Sequence, residues 1–299
     1  MLTKAALRNK ANNELFIPLL IFAMLIWGGS WTSAKLIANT VSPPVLSLLR
    51  FVLTFLSFIP MIIIRKEKLL IDRKTFLMIF LASMFIVAYN IMFFFGLKVG
   101  FAGAGGVLVT SINPVFTFLL SLIIYKKHIH TKESFGLLLG LAGGLIMLQI
   151  WNISSGNLFA SGNLIFVIAS LIWSLLTVCS GEAQKKTSIF VFSFYMYGIS
   201  SVIEFFIAIP FGINDAFHMN WFFWINIFYL SIVSTFFATS IYFISSKKIT
   251  ANRTSSFMLL VPVFAVVISF FILNEIPKIS TIAGGALAMI AIYLINRKK

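Results

Sequence analysis

Ten apolar runs joined by short polar connections make up almost the whole chain, and that pattern leaves one solvent in which it can fold. The runs cover approximately residues 16–36, 43–63, 74–97, 102–125, 133–151, 161–181, 189–211, 221–245, 252–273 and 277–296. At about 1.5 Å of rise per residue, each is long enough to cross roughly 30 Å of hydrocarbon as an α-helix. A barrel reading fails, because the runs are continuous and do not alternate apolar with polar residues. With 60% hydrophobic and only 10% charged residues, the bilayer is the solvent. The basic start of the chain running into Phe16 reads as a first span that is retained, since no small-residue cleavage site follows Trp27.

One hairpin occurs twice. Shifted by 148 positions, Ser111–Leu148 falls on Leu260–Asn296: Pro114-Val115-Phe116 meets Pro262-Val263-Phe264, and Ser121, Gly136 and Leu139 meet Ser269, Gly284 and Leu287. The shared order is an apolar helix opened by Pro-Val-Phe, a polar turn, and an apolar helix rich in small residues. A hairpin repeated half a chain apart marks an internally duplicated membrane transporter. The halves are read as residues 1–151 and 152–299.

The charge of +15 is a matter of topology, not of nucleic-acid binding. With the N-terminus in the cytoplasm, the cytoplasmic loops and tails receive 19 of the 23 Lys and Arg residues, among them Arg65, Lys66, Lys126, Lys127, Lys185 and Lys186. The opposite side receives only Lys35, Lys98 and Lys278, and Arg50 lies inside a span. Both termini are therefore expected in the cytoplasm of a plasma-membrane protein. Five spans per half is an odd number, so the second half runs upside down relative to the first. The predicted fold is all-α: ten transmembrane helices in two inverted five-helix repeats, with a solute site between the halves.

Several segments together carry a resemblance. IWGGSWTSAK at 26–35, LLRF at 48–51, FFFGLKVGFAGAG at 93–105, NPVF at 113–116, VPVF at 261–264 and LNE at 273–275 resemble the EamA type of the drug/metabolite transporter superfamily. The resemblance spans essentially the whole chain. It implies two inverted five-helix repeats, an arginine at the position of Arg50, and transport of amino acids and other small metabolites without nucleotide hydrolysis. Members often carry a Gly-Glu-like pair after both proline-bearing helices. Here Asn274-Glu275 follows the second and Lys126-Lys127 the first, so no transport role is assigned to that position.

Candidate functional residues are charges and aromatics at membrane depth. Arg50 is eight residues into the second span, where a charge is costly unless paired or hydrated. Its forked guanidinium suits a substrate carboxylate, or it locks helices by bonding backbone carbonyls. Glu204, the only acid deep in a span, has three readings: a proton-coupling carboxyl, an ion pair with Arg50 or a loop lysine, or a neutral acid facing lipid. Trp27, Tyr89, Asn90 and Trp173 together make a wall for a planar or amphipathic solute, or ordinary packing. Ser231, Thr235 and Thr239 recur every fourth residue, lining a hydrated path or bonding a neighbouring helix, and Thr235 is included among the substrate-binding candidates. Lys35 and Lys98 snorkel to headgroups or stand at the outer mouth and attract anionic groups, and Glu182 is an interfacial charge. Gly136, Gly140, Gly144, Gly284 and Ala288 form small faces for close helix contact. Pro114 and Pro262 break helix hydrogen bonds in paired positions and are hinge candidates, or else give a static shape to the cavity. Cys179, the only cysteine, packs.

No phosphate loop is present, and His128, His130 and His218 lack metal-ligand spacing. No catalytic residue, cofactor or metal is assigned. The sequence therefore predicts a secondary-active transporter for amino acids or similar metabolites, working by alternating access in the bilayer, with a coupling proton as a possible partner. The alternatives are uptake of a nucleoside-type metabolite such as an S-adenosylmethionine-like compound, and a lipid-handling or helper subunit without transport of its own.

Overall fold

The computed structural model describes residues 4–125, 131–149, 162–249 and 257–296. The 151/152 boundary, Lys126, Lys127, His128 and His130 lie outside the described residues. Among those described there is no strand. The helices are α1 (Lys4–Ile37), α2 (Pro43–Ile64), α3 (Arg73–Val99), α4 (Ala102–Tyr125), α5 (Thr131–Leu148), α6 (Asn163–Ala183), α7 (Ile189–Ala208), α8, α9 (Leu260–Leu273) and α10 (Ile279–Asn296). α8 is wound three ways in succession: α-helical over Trp221–Phe228, π-helical over Tyr229–Ala238 and α-helical again over Thr239–Ile249. Seven helices are long and apolar enough to cross a membrane, and α5, α9 and α10 hold shorter apolar stretches. The ten-span, all-helical reading stands.

Local chemistry sets the helix ends. α2 opens on Pro43-Pro44, whose missing amides cost nothing in a first turn. The Asp72 side chain accepts from the Thr75 amide at 2.9 Å and caps α3. Asp72 also pairs with Lys186 in the α6–α7 turn. The Lys186 ammonium, with Thr75, holds the Asp72 carboxyl well below the usual carboxylate range. Ser188 and Asn220 cap α7 and α8 in the same way, at 3.2 and 3.1 Å.

The heaviest packing joins helices from opposite halves: α5 with α10, α2 with α7, α3 with α6, α4 with α6 and α9, and α1 with α8 and α9. If α1–α5 map onto α6–α10, the α3–α6 contact becomes α8–α1 and the α4–α6 contact becomes α9–α1. The α5–α10, α2–α7 and α4–α9 contacts map onto themselves. The halves are thus interlocked rather than set side by side.

Lipid offers no hydrophobic drive between helices, so close fit and hydrogen bonds must hold them. A Cβ built on Gly284 lies 2.5 Å from the Gly143 carbonyl oxygen, so α5 and α10 touch backbone to backbone. Gly140 abuts Val115 and Ala291, and Gly144 faces Ile112. The predicted small-residue face is there, with Gly143, a residue outside the predicted set, at its tightest point. Large apolar side chains such as Ile64, Phe206 and Phe271 point outward, while Ser47, Ser83, Ser170, Ser200 and Ser231 are fully buried. Four of these hydroxyls bond back into their own helix or across to a neighbour, Ser83 Oγ sharing its proton between Ile79 O at 2.8 Å and Met196 O at 3.2 Å, whereas Ser47 Oγ has no partner among the described residues.

The two prolines are not equivalent. Pro114 lies inside α4. Pro262 falls in the first turn of α9, directly after the 3-10 turn Phe257–Leu259. A proline there breaks no interior helix bond, so the predicted mid-span break at Pro262 is replaced by a helix start.

Candidate functional site

The site is built from α1, α2, α3, α6 and α8. α2 carries Arg50 inward, where the residue is partly buried. Its Nη1 donates to Asn90 Oδ1 at 3.1 Å. Nε and Nη2 both donate to Thr235 Oγ1, at 3.3 and 3.1 Å. Three of the five guanidinium N–H groups are engaged in this way. The guanidinium also lies 5.6 Å from the centre of the Phe93 ring.

The two acceptors are held in place by their own helices. Asn90 Nδ2 donates to Ile86 O at 3.0 Å, one turn back on α3, which turns Oδ1 toward Arg50. Thr235 Oγ1 donates to Leu230 O at 2.7 Å, five residues back, along the π-helical winding. With its proton committed there, the oxygen faces Arg50 as an acceptor. The same winding offers carbonyls to other helices: Ser231 O accepts from Thr54 Oγ1 at 3.3 Å and Ser234 O from Trp27 Nε1 at 3.1 Å.

Aromatic rings line the cluster. Tyr89 and Trp173 stand 4.5 Å apart between centroids, Tyr89 and Phe93 5.8 Å, and Trp31 and Phe93 4.7 Å. Of the sequence candidates, Arg50, Tyr89, Asn90, Trp173 and Thr235 converge here. Trp27 does not: it packs 5.3 Å from Tyr242 in a separate cluster with Met24, Ala238 and Val261. Phe93 and Trp31 complete the wall. In a chain with 34 phenylalanines, Phe93 carries no sequence signal that sets it apart.

Among the described residues Arg50 has no acidic partner; all its hydrogen-bond acceptors are neutral. Its alternative as a lock on backbone carbonyls is replaced by bonds to two side chains. Glu204 of α7 is fully buried, and among the described residues neither carboxyl oxygen has a partner. Among the described residues neither an ion pair with Arg50 nor one with a loop lysine is formed. Nor does Glu204 face lipid. Glu182 pairs with Lys185.

Lys35 departs from the snorkelling expectation. Its Nζ donates to Leu97 O and, at 2.7 Å, to Gly100 O, closing the end of α3. Beside it is a cleft of about 510 Å³ lined by Lys35, Gly100, Gly103, Ser269, Glu275 and Lys278. This cleft shares no lining residue with the Arg50 and aromatic cluster.

Interlocked five-helix halves around an intramembrane polar cluster define a membrane transporter of the duplicated type. The EamA-like transporter family matches residues 15–149 and again 160–297, and the chain belongs to that family. The uncharacterized transporter YoaV of Bacillus subtilis is 24% identical over 283 residues, covering 92% of this chain and 94% of its own. An uncharacterized transporter of Archaeoglobus fulgidus is 22% identical, covering 94% and 97%. A chloroplastic WAT1-related protein of Arabidopsis thaliana is 26% identical over 217 residues, covering 67% of this chain and half of that one. A solved crystal structure shares the fold with a TM-score of 0.62 at 18% identity, covering 95% of this chain and 97% of that one.

Proposed function

We propose that the chain is a secondary-active carrier of small organic metabolites bearing a carboxylate, amino acids or related compounds, working by alternating access. The observation that carries the reading is Arg50, an intramembrane cation held only by neutral groups. Such a charge is costly in hydrocarbon. A substrate carboxylate meets the fork with two parallel bonds and neutralises it while bound. Asn90 and Thr235 orient the fork, and Tyr89, Trp173 and Phe93 supply the apolar wall.

Glu204 is the candidate for proton coupling. A carboxyl with no partner among the described residues in a fully buried position is far more costly charged than neutral, so taking up and releasing a proton changes its fit to the bundle. Pro114, inside α4, is the hinge candidate that keeps a mid-helix position, and Pro262 acts at the entry of α9. The basic loops support a plasma-membrane protein with both termini cytoplasmic.

The test is a thermal-shift screen of the detergent-purified protein against amino acids, each compared with its carboxamide, followed by flux in liposomes. Stabilisation by the acid and not by the amide supports the reading. Equal shifts from both remove the carboxylate from it. The pair Tyr89–Trp173 also suits a flat base, which supports a nucleoside-type metabolite as the second reading. Stabilisation by nucleosides alone selects that one. The lipid-handling or helper-subunit alternative is selected if the purified protein moves none of these solutes.

A further inference from the structure

The transport reading leaves one cluster unused. At the end of the bundle where α3 turns into α4, Glu275 reaches across from the α9–α10 turn. Its Oε1 accepts from the Ala102 amide at 2.9 Å and its Oε2 from the Gly103 amide at 3.0 Å. The carboxylate thus caps the N-terminus of α4, where the amides and the helix dipole favour a negative charge. Glu275 is 9% exposed, and the preceding Asn274 adopts a left-handed φ of 54° that turns the chain into this position. Lys35 of α1 clasps the same turn from the other side through Leu97 O and Gly100 O. One charge therefore fastens the end of α3, and the opposite charge the start of α4.

The Glu275 bonds cross between the two halves. Any movement that separates α4 from α9 at this end breaks both together. In an inverted repeat, a matching contact is expected at the other end, made by the α4–α5 turn on the start of α9. The sequence carries no acid at the matching position, which lies outside the described residues. At the shift of 148, Asn274-Glu275 falls on Lys126-Lys127. A lysine has donors only and cannot accept an amide N–H, and its charge is unfavourable at a helix N-terminus.

We propose that Glu275 and Lys35 form a one-sided latch that holds this end of the carrier shut, so that the opposite end opens more readily at rest. This rests on the alternating-access reading above. The 510 Å³ cleft beside the latch is the space into which this end opens once the two bonds are released.

The test uses the full-length protein in detergent. Cys179, the only cysteine, is replaced by serine, and Thr281, which lines the cleft and is 6% exposed, becomes the reporter as Thr281→Cys. The rate of maleimide labelling reads how often this end opens. Glu275→Gln keeps the size but loses the charge and one of the two acceptors, and should speed labelling about tenfold, the loss of a charge-assisted bond. Lys35→Gln, which leaves Glu275 in place, should move the rate in the same direction. A folded variant labelled at the parent's rate overturns the latch. So does failure of both variants to fold, because a gate contact, unlike a structural cap, must be dispensable for folding. Labelling needs no substrate. Faster labelling in a protein that moves no solute keeps the latch and sinks the carrier reading; flux with unchanged labelling sinks the latch alone.

Discussion

Replacing Arg50 with glutamine separates a substrate-binding arginine from one that merely joins helices. In the native site its three bonds go to Asn90 and Thr235. Both acceptors keep an internal bond without it, Asn90 to Ile86 and Thr235 to Leu230. The cost to folding is therefore that of losing hydrogen bonds to a charged group, about 1–3 kcal/mol. The cost to binding is larger. Removing one partner of a desolvated charge pair costs about 2–5 kcal/mol. At 1.4 kcal/mol per factor of ten, that is a loss of roughly 30-fold to several thousand-fold in affinity. The assay is a cycle: an amino acid that shifts the melting temperature and its carboxamide are titrated against the wild-type protein and Arg50→Gln. The wild type should prefer the acid by at least about 30-fold, and the variant should bind acid and amide alike. Arg50→Lys should fall between, since an ammonium keeps the charge and loses the fork. If the variant keeps the full preference for the acid, the carboxylate sits elsewhere and Arg50 is a helix lock.

The remaining predictions concern coupling, packing and the loop charges. Glu204→Gln should leave the protein folded and its solute flux independent of pH; a variant whose flux keeps the wild-type pH profile removes Glu204 from coupling. Gly284→Val should destabilise the α5–α10 contact by about 1–3 kcal/mol, because its side chain would be driven into the Gly143 carbonyl and Met147; an unchanged thermal melt shows that the two backbones do not touch. Asp72 is a carboxylate whose folded-state affinity for protons is lowered, so its contribution is present at neutral pH and lost as the medium becomes acid. Melting temperatures of wild type and Asp72→Asn should therefore differ at neutral pH, and the gap should begin to narrow only below about pH 4 and close as the pH falls on through the lowered folded-state value. A gap that persists there assigns the effect to something other than the cap and the Lys186 pair.

Much of the site was legible because intramembrane polarity is rare. Arg50, Asn90 and Thr235 stand out against apolar surroundings, and each has a hydrogen-bonding role at the same cluster. The aromatics were legible only as a class. Tyr89 and Trp173 meet, whereas Trp27 spends its indole N–H on Ser234 O in another cluster. Nothing in the residues near Trp27 distinguishes the two fates, since they depend on which helix each ring faces. Glu275 was legible as a charge and not as a cap, because its partners lie more than 170 positions away. The every-fourth-residue stripe of Ser231, Thr235 and Thr239 also takes a different form. The π-helical winding sends the Thr235 hydroxyl five residues back and leaves the oxygen free to face Arg50.

The sequence by itself determined that this is a ten-helix membrane protein built from an inverted repeat. In hydrocarbon every backbone amide must be satisfied within its own segment, so helices are written locally, in the length and composition of each run. The repeat is visible because both copies keep the same order of proline, small residues and turn. Only the tertiary structure decided which helices pair, that the halves interlock through α3–α6 and α1–α9, and that α8 winds as a π-helix beside Arg50. Those outcomes depend on shape fit and on hydrogen bonds between residues distant in the chain, and lipid tails impose no pattern along a helix that would record them in advance.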